Sequence, residues 1–358
     1  MGMEIFTLGF SWRKRQILRY FFPQATVSAL PKNYSITESD NLFLWGSHPL
    51  PKNAMTSKLT MRVEDGFIRS IGLGAAFTAP CSWVFDPVGI YYDATAPSML
   101  ENMLEFETVT PEHIERAKKL QEAIIGQNIT KYNLDSSQEL YAAKKNIQSN
   151  IDELVKKQGA IKIILVPGQI ESDASIKFGG VDIFTNQELL KLVRENNPNA
   201  YVIYKPHPDE VAGLRIKSDF DRSPLFYCDY IETKMGIHHL YDMIDEIHTI
   251  TSLSGFEALI RGIKVFCYGI PFYAGWGLTH DRHYCKRRTR QRSLDELIAT
   301  TLIKYPKYIH PLKKHPSNPE EVIKGISLKR SAMNDYLPRM RVITHHLLAK
   351  FRFLIAKK

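Results

Sequence analysis

The stretch Ile161-Lys-Ile-Ile-Leu-Val-Pro-Gly-Gln-Ile-Glu-Ser-Asp-Ala-Ser175 decides the fold. Ile161–Val166 is a near-continuous apolar run, the pattern of a strand buried on both faces. Pro167-Gly168 ends it, and an amide and two carboxylates (Gln169, Glu171, Asp173) follow within five residues. The same grammar repeats downstream. Asn186–Arg194 reads as a helix, and Ala200–Tyr204 (AYVIY) as a second buried strand closing at Lys205-Pro-His-Pro208. Gly236–Ile244 reads as a helix, Ile247–Ile250 as a strand, Leu253–Arg261 as a helix and Val265–Tyr268 as a strand. Strands alternating with helices of this length predict a doubly wound parallel sheet. Ligands of such sheets bind beyond the carboxyl ends of the strands, so the loops there are where chemistry is expected.

Four of those loops hold unusual residues. Gly168–Ser175 carries the acidic and amide groups. In Lys205-Pro-His-Pro208 two prolines fix the backbone and project a cation and an imidazole. Thr251-Ser-Leu-Ser-Gly-Phe-Glu257 offers hydroxyls and backbone N–H groups at a helix start, a natural phosphate site. Gly269-Ile-Pro-Phe-Tyr-Ala-Gly-Trp-Gly277 is rich in glycine and aromatics. Singly, each has an ordinary explanation: a rigid turn, or a plain N-cap. On successive strand ends of one sheet they describe a phosphate-ester site, with Lys205 and His207 answering charge and Glu257 a ribose diol.

The first half is more mixed. Met3–Leu8 reads as a short strand, Trp12–Phe22 as a basic helix and Asn41–Trp45 (NLFLW) as a buried strand ending at Gly46. Leu59–Glu64 alternates and runs into Asp65-Gly66, a turn signal. Pro111–Gly126 and Gln138–Lys157 read as helices, the second long, Lys-rich and able to bridge two domains. Asp219-Phe-Asp221 has the form of a metal-binding DxD but sits in a polar stretch and reads as a solvated loop. Gly72-Leu-Gly74 lacks the third glycine of a dinucleotide fingerprint. His238-His239 and His345-His346 have no Glu-x-x-His partner, so no metal is expected. Trp45 and Trp83 read as core, and Leu294–Lys358 as two helical stretches around a Pro-rich piece, Pro306–Pro319.

Composition bounds the function. The chain has 358 residues, 44% of them hydrophobic and 24% charged, a length that suggests two domains, or one domain plus a terminal extension. No apolar run approaches the ~18 residues of a membrane span, and Met1–Thr7 lacks the pattern of a signal peptide. Cys81, Cys228, Cys267 and Cys285 lie far apart and read as reduced core or loop residues of a cytosolic protein. The formal charge of +9 predicts a phosphate-rich partner: a nucleic acid, an anionic membrane or a nucleotide. Residues 286–358 hold 18 Lys/Arg against 5 Asp/Glu, so residues 1–285 are net −4 and the basic excess lies entirely in the last 73 residues.

The motifs Val63-Glu-Asp-Gly-Phe-Ile-Arg-Ser70, Val166–Ile176, Tyr204-Lys-Pro-His-Pro208, Thr251–Leu259 and Tyr268–Thr279, in this order over roughly residues 40–300, resemble the KpsC/LipA capsule polysaccharide biosynthesis proteins. The resemblance implies a retaining β-Kdo glycosyltransferase using CMP-Kdo. It also implies a GT-B-like α/β fold, two Rossmann-like lobes with the active site in the cleft between them. The lobes are expected at residues 1–155 (acceptor side) and 156–315 (nucleotide side), with a basic helical tail over 316–358. Better-known members carry two such modules in tandem, and this chain is long enough for one. By the same resemblance Asp173 is the expected nucleophile, since double displacement needs a carboxylate that attacks the anomeric carbon. Glu64 is the expected acid/base, with Asp65 the alternative. Gln169, Lys205, His207, Ser252, Ser254 and Glu257 are expected to hold CMP, and Arg69 to meet the Kdo carboxylate. One leaving phosphate can be neutralised by lysine, histidine and helix N–H groups, so neither metal nor cofactor is expected.

In the terminal Arg339–Lys358, Met340, Ile343, Leu347, Phe351 and Leu354 form one helical stripe among Lys and Arg. This suits a helix on an anionic membrane, and equally a helix packing on the first lobe. The expected partners are CMP-Kdo, a glycan or lipid-linked saccharide acceptor and an anionic membrane surface, not nucleic acid. The expected location is the cytoplasm, with peripheral contact at the inner membrane. Two rival readings stand beside this one. A CDP-glycerol-type glycerophosphotransferase would break a phosphoanhydride without needing a nucleophile at Asp173. A non-catalytic component of a capsule export complex would not need the phosphate loops.

Overall fold

A computed structural model describes residues 3–51, 57–70, 79–131, 140–214, 217–221 and 223–335. The Gly72-Leu-Gly74 and Arg339–Lys358 readings lie outside them. The chain is mixed α/β, built on two sheets.

The first half opens with β1 (Glu4–Leu8), α1 (Trp12–Phe21), β2 (Thr26–Ala29), β3 (Asn41–Trp45), β4 (Leu59–Asp65) and β5 (Ser82–Asp86). Ser11 caps α1 by accepting from the Lys14 N–H (3.2 Å). β2, β1, β3 and β4 run parallel in that order, and β5 joins antiparallel with Glu64 opposite Val84 and Asp65 opposite Trp83. In β3 alternate side chains serve opposite faces. Phe43 packs with Ile17, Leu18 and Phe21 of α1, while Leu42 and Leu44 join Phe6 and Ile36. Trp83 is a buried core residue of the α1 face, and Trp45, partly buried, packs against it. Helices α2 (Met99–Phe106), α3 (Pro111–Gly126) and α4 (Leu140–Gln158) follow.

The second sheet contains β6 (Ile163–Pro167), α5 (Ala174–Gly179), α6 (Asn186–Asn196), β7 (Tyr201–Lys205), α7 (Pro208–Val211), β8 (Tyr230–Ile231), β9 (Glu246–Thr249), α8 (Leu253–Ile260), β10 (Lys264–Cys267) and β11 (His280–Asp281). Its order is β11-β10-β9-β6-β7-β8, and every pairing is parallel. Ile164, Val166, Val202 and Tyr204 pack with α6 through Leu189, Leu190 and Val193. Leu165, Tyr201 and Ile203 pack on the other face with Ala143, Ile147 and Ile151 of α4 and Phe256 and Ala258 of α8. This two-sided burial is what the unbroken apolar runs announced. Cys81, Cys228, Cys267 and Cys285 are all buried free thiols.

One expected helix is absent. Gly236–Ile244 forms two short 3₁₀ turns, Ile237–His239 and Tyr241–Met243. Ile237, Leu240 and Met243 recur every three residues, which is the 3₁₀ repeat.

The chain then returns to the first sheet through α9 (Leu294–Ile298), β12 (Pro306–Ile309), β13 (Pro316–Ser317) and α10 (Pro319–Asp335). The Pro-rich piece is thus a strand and its hairpin partner: β12 pairs antiparallel with β5, and β13 with β12. Span 156–315 therefore includes a strand of the first sheet. α10 packs on α3, where Arg116 and Glu320 pair at 2.7 Å. Part of the basic excess is structural. Arg287 and Arg288 both pair with Glu101 of α2, and the latter pair is buried. Arg292, also buried, donates to the Leu104 carbonyl. These arginines tie the segment that leaves the second sheet to a helix of the first half.

Candidate active site

The order of the second sheet reverses at β6 and β9: from β6 the chain builds outward through β7 and β8, then crosses to β9 and β10. Such a switch point opens a crevice at the strand ends. Gln169 spans it. Its Nε2 donates to Thr251 Oγ1 (3.0 Å), and its Oε1 accepts from the Thr251 N–H (3.0 Å) and the Thr249 hydroxyl (3.2 Å). Its own N–H donates to Asn186 Oδ1 (2.8 Å). The side chain is buried and bonded through both its amide nitrogen and its oxygen, so it fastens the two loops together.

Beyond β9, Ser252 caps α8: its Oγ accepts from the Ser254 N–H and donates to Ser254 Oγ, both at 3.2 Å. Both serines are half-buried. Tyr273, from the Gly-rich aromatic loop, donates to the Ser252 carbonyl (2.5 Å). A β-carbon on Gly255 would lie 2.2 Å from that tyrosine's oxygen, so only glycine fits there. Glu257, one turn deeper in α8, accepts from the Lys131 N–H (2.7 Å) and from Tyr241 Oη (2.8 Å). Burial pushes its carboxyl upward, against the pull of Arg261.

Lys205 ends β7 in a buried position. Burial lowers its ammonium from 10.5 to about 8, opposed by the charge of Glu232. Glu232 follows β8, and its Oε1 accepts from the N–H groups of Lys234 (2.5 Å) and Met235 (2.8 Å). Its buried Oε2 has no partner among the described residues. Beside Lys205, His207 Nδ1 accepts from the Asp209 N–H (3.1 Å), which leaves Nε2 to carry the proton of the neutral ring.

Asp173 stands at the N-cap of α5 without using its side chain to cap the helix. Its carboxylate is half-buried and accepts no hydrogen bond among the described residues. α5 is anchored at its far end, where Ile270 N–H donates to the Gly179 carbonyl (2.7 Å).

The carboxylates on β4 divide sharply. Asp65 is locked: Oδ2 accepts from Arg69 Nε (2.5 Å) and Oδ1 from Trp83 Nε1 (3.1 Å). Arg69 is in turn buried on Asp65 and the Ser70 hydroxyl (2.9 Å). Among the described residues Glu64 accepts one bond, from the Asp65 N–H to Oε1 (2.9 Å). Burial, reinforced by the charge of Asp65, raises its carboxyl from 4.5 to about 7. Glu64 Oε2 and the Tyr92 phenol lie 3.0 and 3.1 Å from the point where a β-carbon on Gly46 would sit.

Tyr92 connects the two sides. Its carbonyl lies 3.5 Å from the β-carbon position of Gly179, and two residues on the Ala94 N–H donates to the Phe178 carbonyl (3.2 Å). Residues 92–94 therefore run from Glu64 to the helix that Asp173 begins. Tyr92 and Glu232 carried no sequence signal, and Gly255 and Tyr273 stood in loops singled out for other reasons, because their roles exist only across the fold. Asp221 of the Asp-Phe-Asp stretch is tied to Gln187 through its N–H (2.7 Å). No group of His, Cys, Asp and Glu suited to a metal, and no helix long and apolar enough to cross a membrane, occurs among the described residues.

The family described as "Capsule polysaccharide biosynthesis protein" matches residues 43–308. Capsule polysaccharide modification protein LipA of Neisseria meningitidis serogroup B is 41% identical over 327 residues, covering 88% of this chain and 44% of LipA. The chain thus spans less than half the length of that relative. Lipopolysaccharide-processing protein LpsZ of Rhizobium meliloti is 36% identical, covering 89% of this chain and 73% of LpsZ. Two solved structures from Thermosulfurimonas dismutans KpsC align over 91% of this chain. The β-Kdo 2,7 transferase is 38% identical with a TM-score of 0.70 over 99% of its length. The β-Kdo 2,4 transferase is 31% identical with a TM-score of 0.75 over 98%.

Proposed function

The chain belongs to the capsule polysaccharide biosynthesis family, and we propose that it is a retaining β-Kdo glycosyltransferase that moves Kdo from CMP-Kdo to a glycan or lipid-linked acceptor. The two sheets act as the lobes of a GT-B-like enzyme, with the nucleotide at the carboxyl ends of β6, β7 and β9. There Lys205, His207 and the Ser252/Ser254 start of α8 face the phosphate. Gln169 holds the loops around it, and Glu257 holds the base of α8.

The observation that carries the reading is the contrast between two carboxylates. Asp173 is an N-cap whose carboxylate is held by no donor among the described residues, the state a nucleophile needs. Glu64 holds its proton to about 7, where a group can both give and take one. In the first half-reaction an Asp173 oxygen bonds to the anomeric carbon as the bond to the CMP phosphate breaks, and CMP departs with both electrons. In the second, ionised Glu64 takes the acceptor hydroxyl's proton as that oxygen displaces Asp173, restoring the carboxylate. Between the β4 acids, Glu64 is the acid/base and Asp65 the anchor for Arg69. The charge of one phosphate is within reach of Lys205, His207 and helix N–H groups.

The test is intact mass after mixing the protein with CMP-Kdo. A Kdo-sized adduct is expected, accumulating in Glu64→Gln and absent in Asp173→Asn. Wild-type turnover by Asp173→Asn sinks the mechanism. Glycerol phosphate transfer from CDP-glycerol without CMP-Kdo cleavage would replace the function.

A further inference from the structure

Four cations are candidates to answer Glu64, namely Lys14 and Lys131, whose charges reach it, and Arg62 and Arg69, its neighbours in sequence, and three have other duties. Arg62 Nη1 donates to the carbonyls of Gly46 (2.9 Å) and His48 (3.0 Å). Arg69 is held by Asp65 and Ser70. Lys131 has partners of its own. The fourth, Lys14, differs. Its Nζ stands 3.3 Å from the centroid of the Trp45 ring, and no oxygen among the described residues accepts a hydrogen bond from it. It is half-buried on the first turn of α1, where Arg13 and Arg15 flank it and no acid is present. Burial lowers its pKa, and the acids whose field reaches it are Glu64 and Asp65. Their pull does not offset that burial: Asp65 is bound to Arg69, and Glu64 keeps its proton to about 7. An ammonium drawn partly out of water with only an aromatic face beside it is costly until an anion arrives.

We propose that Lys14 is the seat of a substrate carboxylate, that of a sugar acid, held beside Glu64. The proposal rests on the Kdo-transfer reading above and replaces Arg69 as the group that meets this carboxylate. The anion is a carboxylate rather than a phosphate for a positional reason. The phosphate groups gather at the strand ends of the second sheet, whereas Lys14 lies on the first. In a 2-keto sugar acid the carboxylate is bonded to the anomeric carbon itself, so it necessarily lies near the acid/base. Two molecules bring this chemistry to the site: the sugar being transferred, and an acceptor that ends in a sugar acid.

The experiment uses the full chain and its Lys14→Met, Lys14→Gln and Lys14→Arg variants, each checked by thermal melting. CMP release from CMP-Kdo is measured without acceptor, and transfer is measured to a Kdo-terminated acceptor and to its carboxyl-reduced counterpart. Loss of one charge-assisted hydrogen bond corresponds to about a ten- to hundredfold rise in KM, with kcat little changed and most of the loss recovered in Lys14→Arg. A rise in donor KM without acceptor assigns the seat to the transferred sugar. Unchanged donor KM with a selective loss for the acidic acceptor assigns it to the acceptor. Wild-type KM values throughout, or an equal fall in kcat for charged and uncharged acceptors, overturn the proposal. If the wild-type chain releases no CMP from CMP-Kdo, the Kdo-transfer reading has itself failed and the proposal falls with it.

Discussion

Gln169 and Thr251 are joined by two hydrogen bonds of 3.0 Å, one from the glutamine amide to the threonine hydroxyl and one from the threonine N–H back to the amide oxygen. The first residue follows β6 and the second follows β9, so this pair holds closed the point where the sheet reverses. A residue bonded this way positions other groups. Gln169→Ala leaves the Thr251 N–H and the buried Thr249 hydroxyl without this acceptor, at about 1–3 kcal/mol for each group left unpaired. The expected result is a lowered Tm together with weaker CMP binding. An unchanged Tm with weakened CMP binding would show instead that the side chain serves the nucleotide directly.

Glu64 makes stability depend on pH in a definite direction. Its folded-state pKa of about 7 lies above the ordinary 4.5, so the folded chain binds this proton more tightly than the unfolded one. The contribution favours folding in acid, fades as pH rises from about 4.5 to 7, and is a penalty above that. Glu64→Gln resembles the protonated acid at every pH. The variant should match the wild type near pH 5 and melt higher than it near pH 8, while losing transferase activity. A Tm difference that stays constant between these two pH values contradicts the assignment.

The readings that succeeded and those that did not separate on physical grounds. β6 and β7 were legible because burial on both faces leaves no polar position to interrupt the run. β8, β11 and β13 have two residues each, too few for any period to show. Glu64, Asp173, Lys205 and the Ser252/Ser254 helix start could be singled out because each sits in a motif that stands out in sequence. Gln169, Arg69 and Glu257 are bonded to Thr251, Asp65 and Tyr241, partners that sequence does not show, because an amide, a guanidinium or a carboxylate looks the same there whatever it meets. The basic run Lys286–Arg292 is the clearest case. It read as part of an excess meant for an anionic partner, yet Arg287 and Arg288 answer Glu101, 186 and 187 residues away. No charge count along the chain distinguishes a cation facing solvent from one facing an acid of the same molecule.

Lys205 gives nucleotide binding a second pH signature. Its pKa falls from 10.5 to about 8 because burial penalises the cation. The unfolded chain therefore holds this proton more tightly, and the group's contribution to stability rises as pH passes from about 8 toward 10.5. Phosphate affinity runs the other way, since the charge that attracts the phosphate disappears over the same range. CMP affinity by calorimetry is expected to weaken as pH rises above about 8. In Lys205→Met it should be weaker at pH 7 and nearly flat with pH. An equally steep pH dependence in that variant would place the titrating group elsewhere.

Gly255 tests whether the phosphate loop is set by packing. In a helix, replacing glycine by alanine is normally worth about 1 kcal/mol in favour of alanine. Here the new methyl would lie 2.2 Å from Tyr273 Oη and 2.8 Å from its Cζ. The tyrosine has no room to yield, being fully buried with its hydroxyl on the Ser252 carbonyl. Overpacking of this kind typically costs about 1–3 kcal/mol, enough to outweigh the propensity gain. Gly255→Ala should therefore lower the Tm and disturb the Ser252 cap, weakening CMP binding. Tyr273→Phe removes the nearest atom, so Gly255→Ala should cost less in that background than in the wild type. The measurement is a double-mutant cycle by chemical denaturation. Full additivity of the two changes, or a Gly255→Ala protein as stable as the wild type, would show that the close approach of Tyr273 does not constrain this helix start.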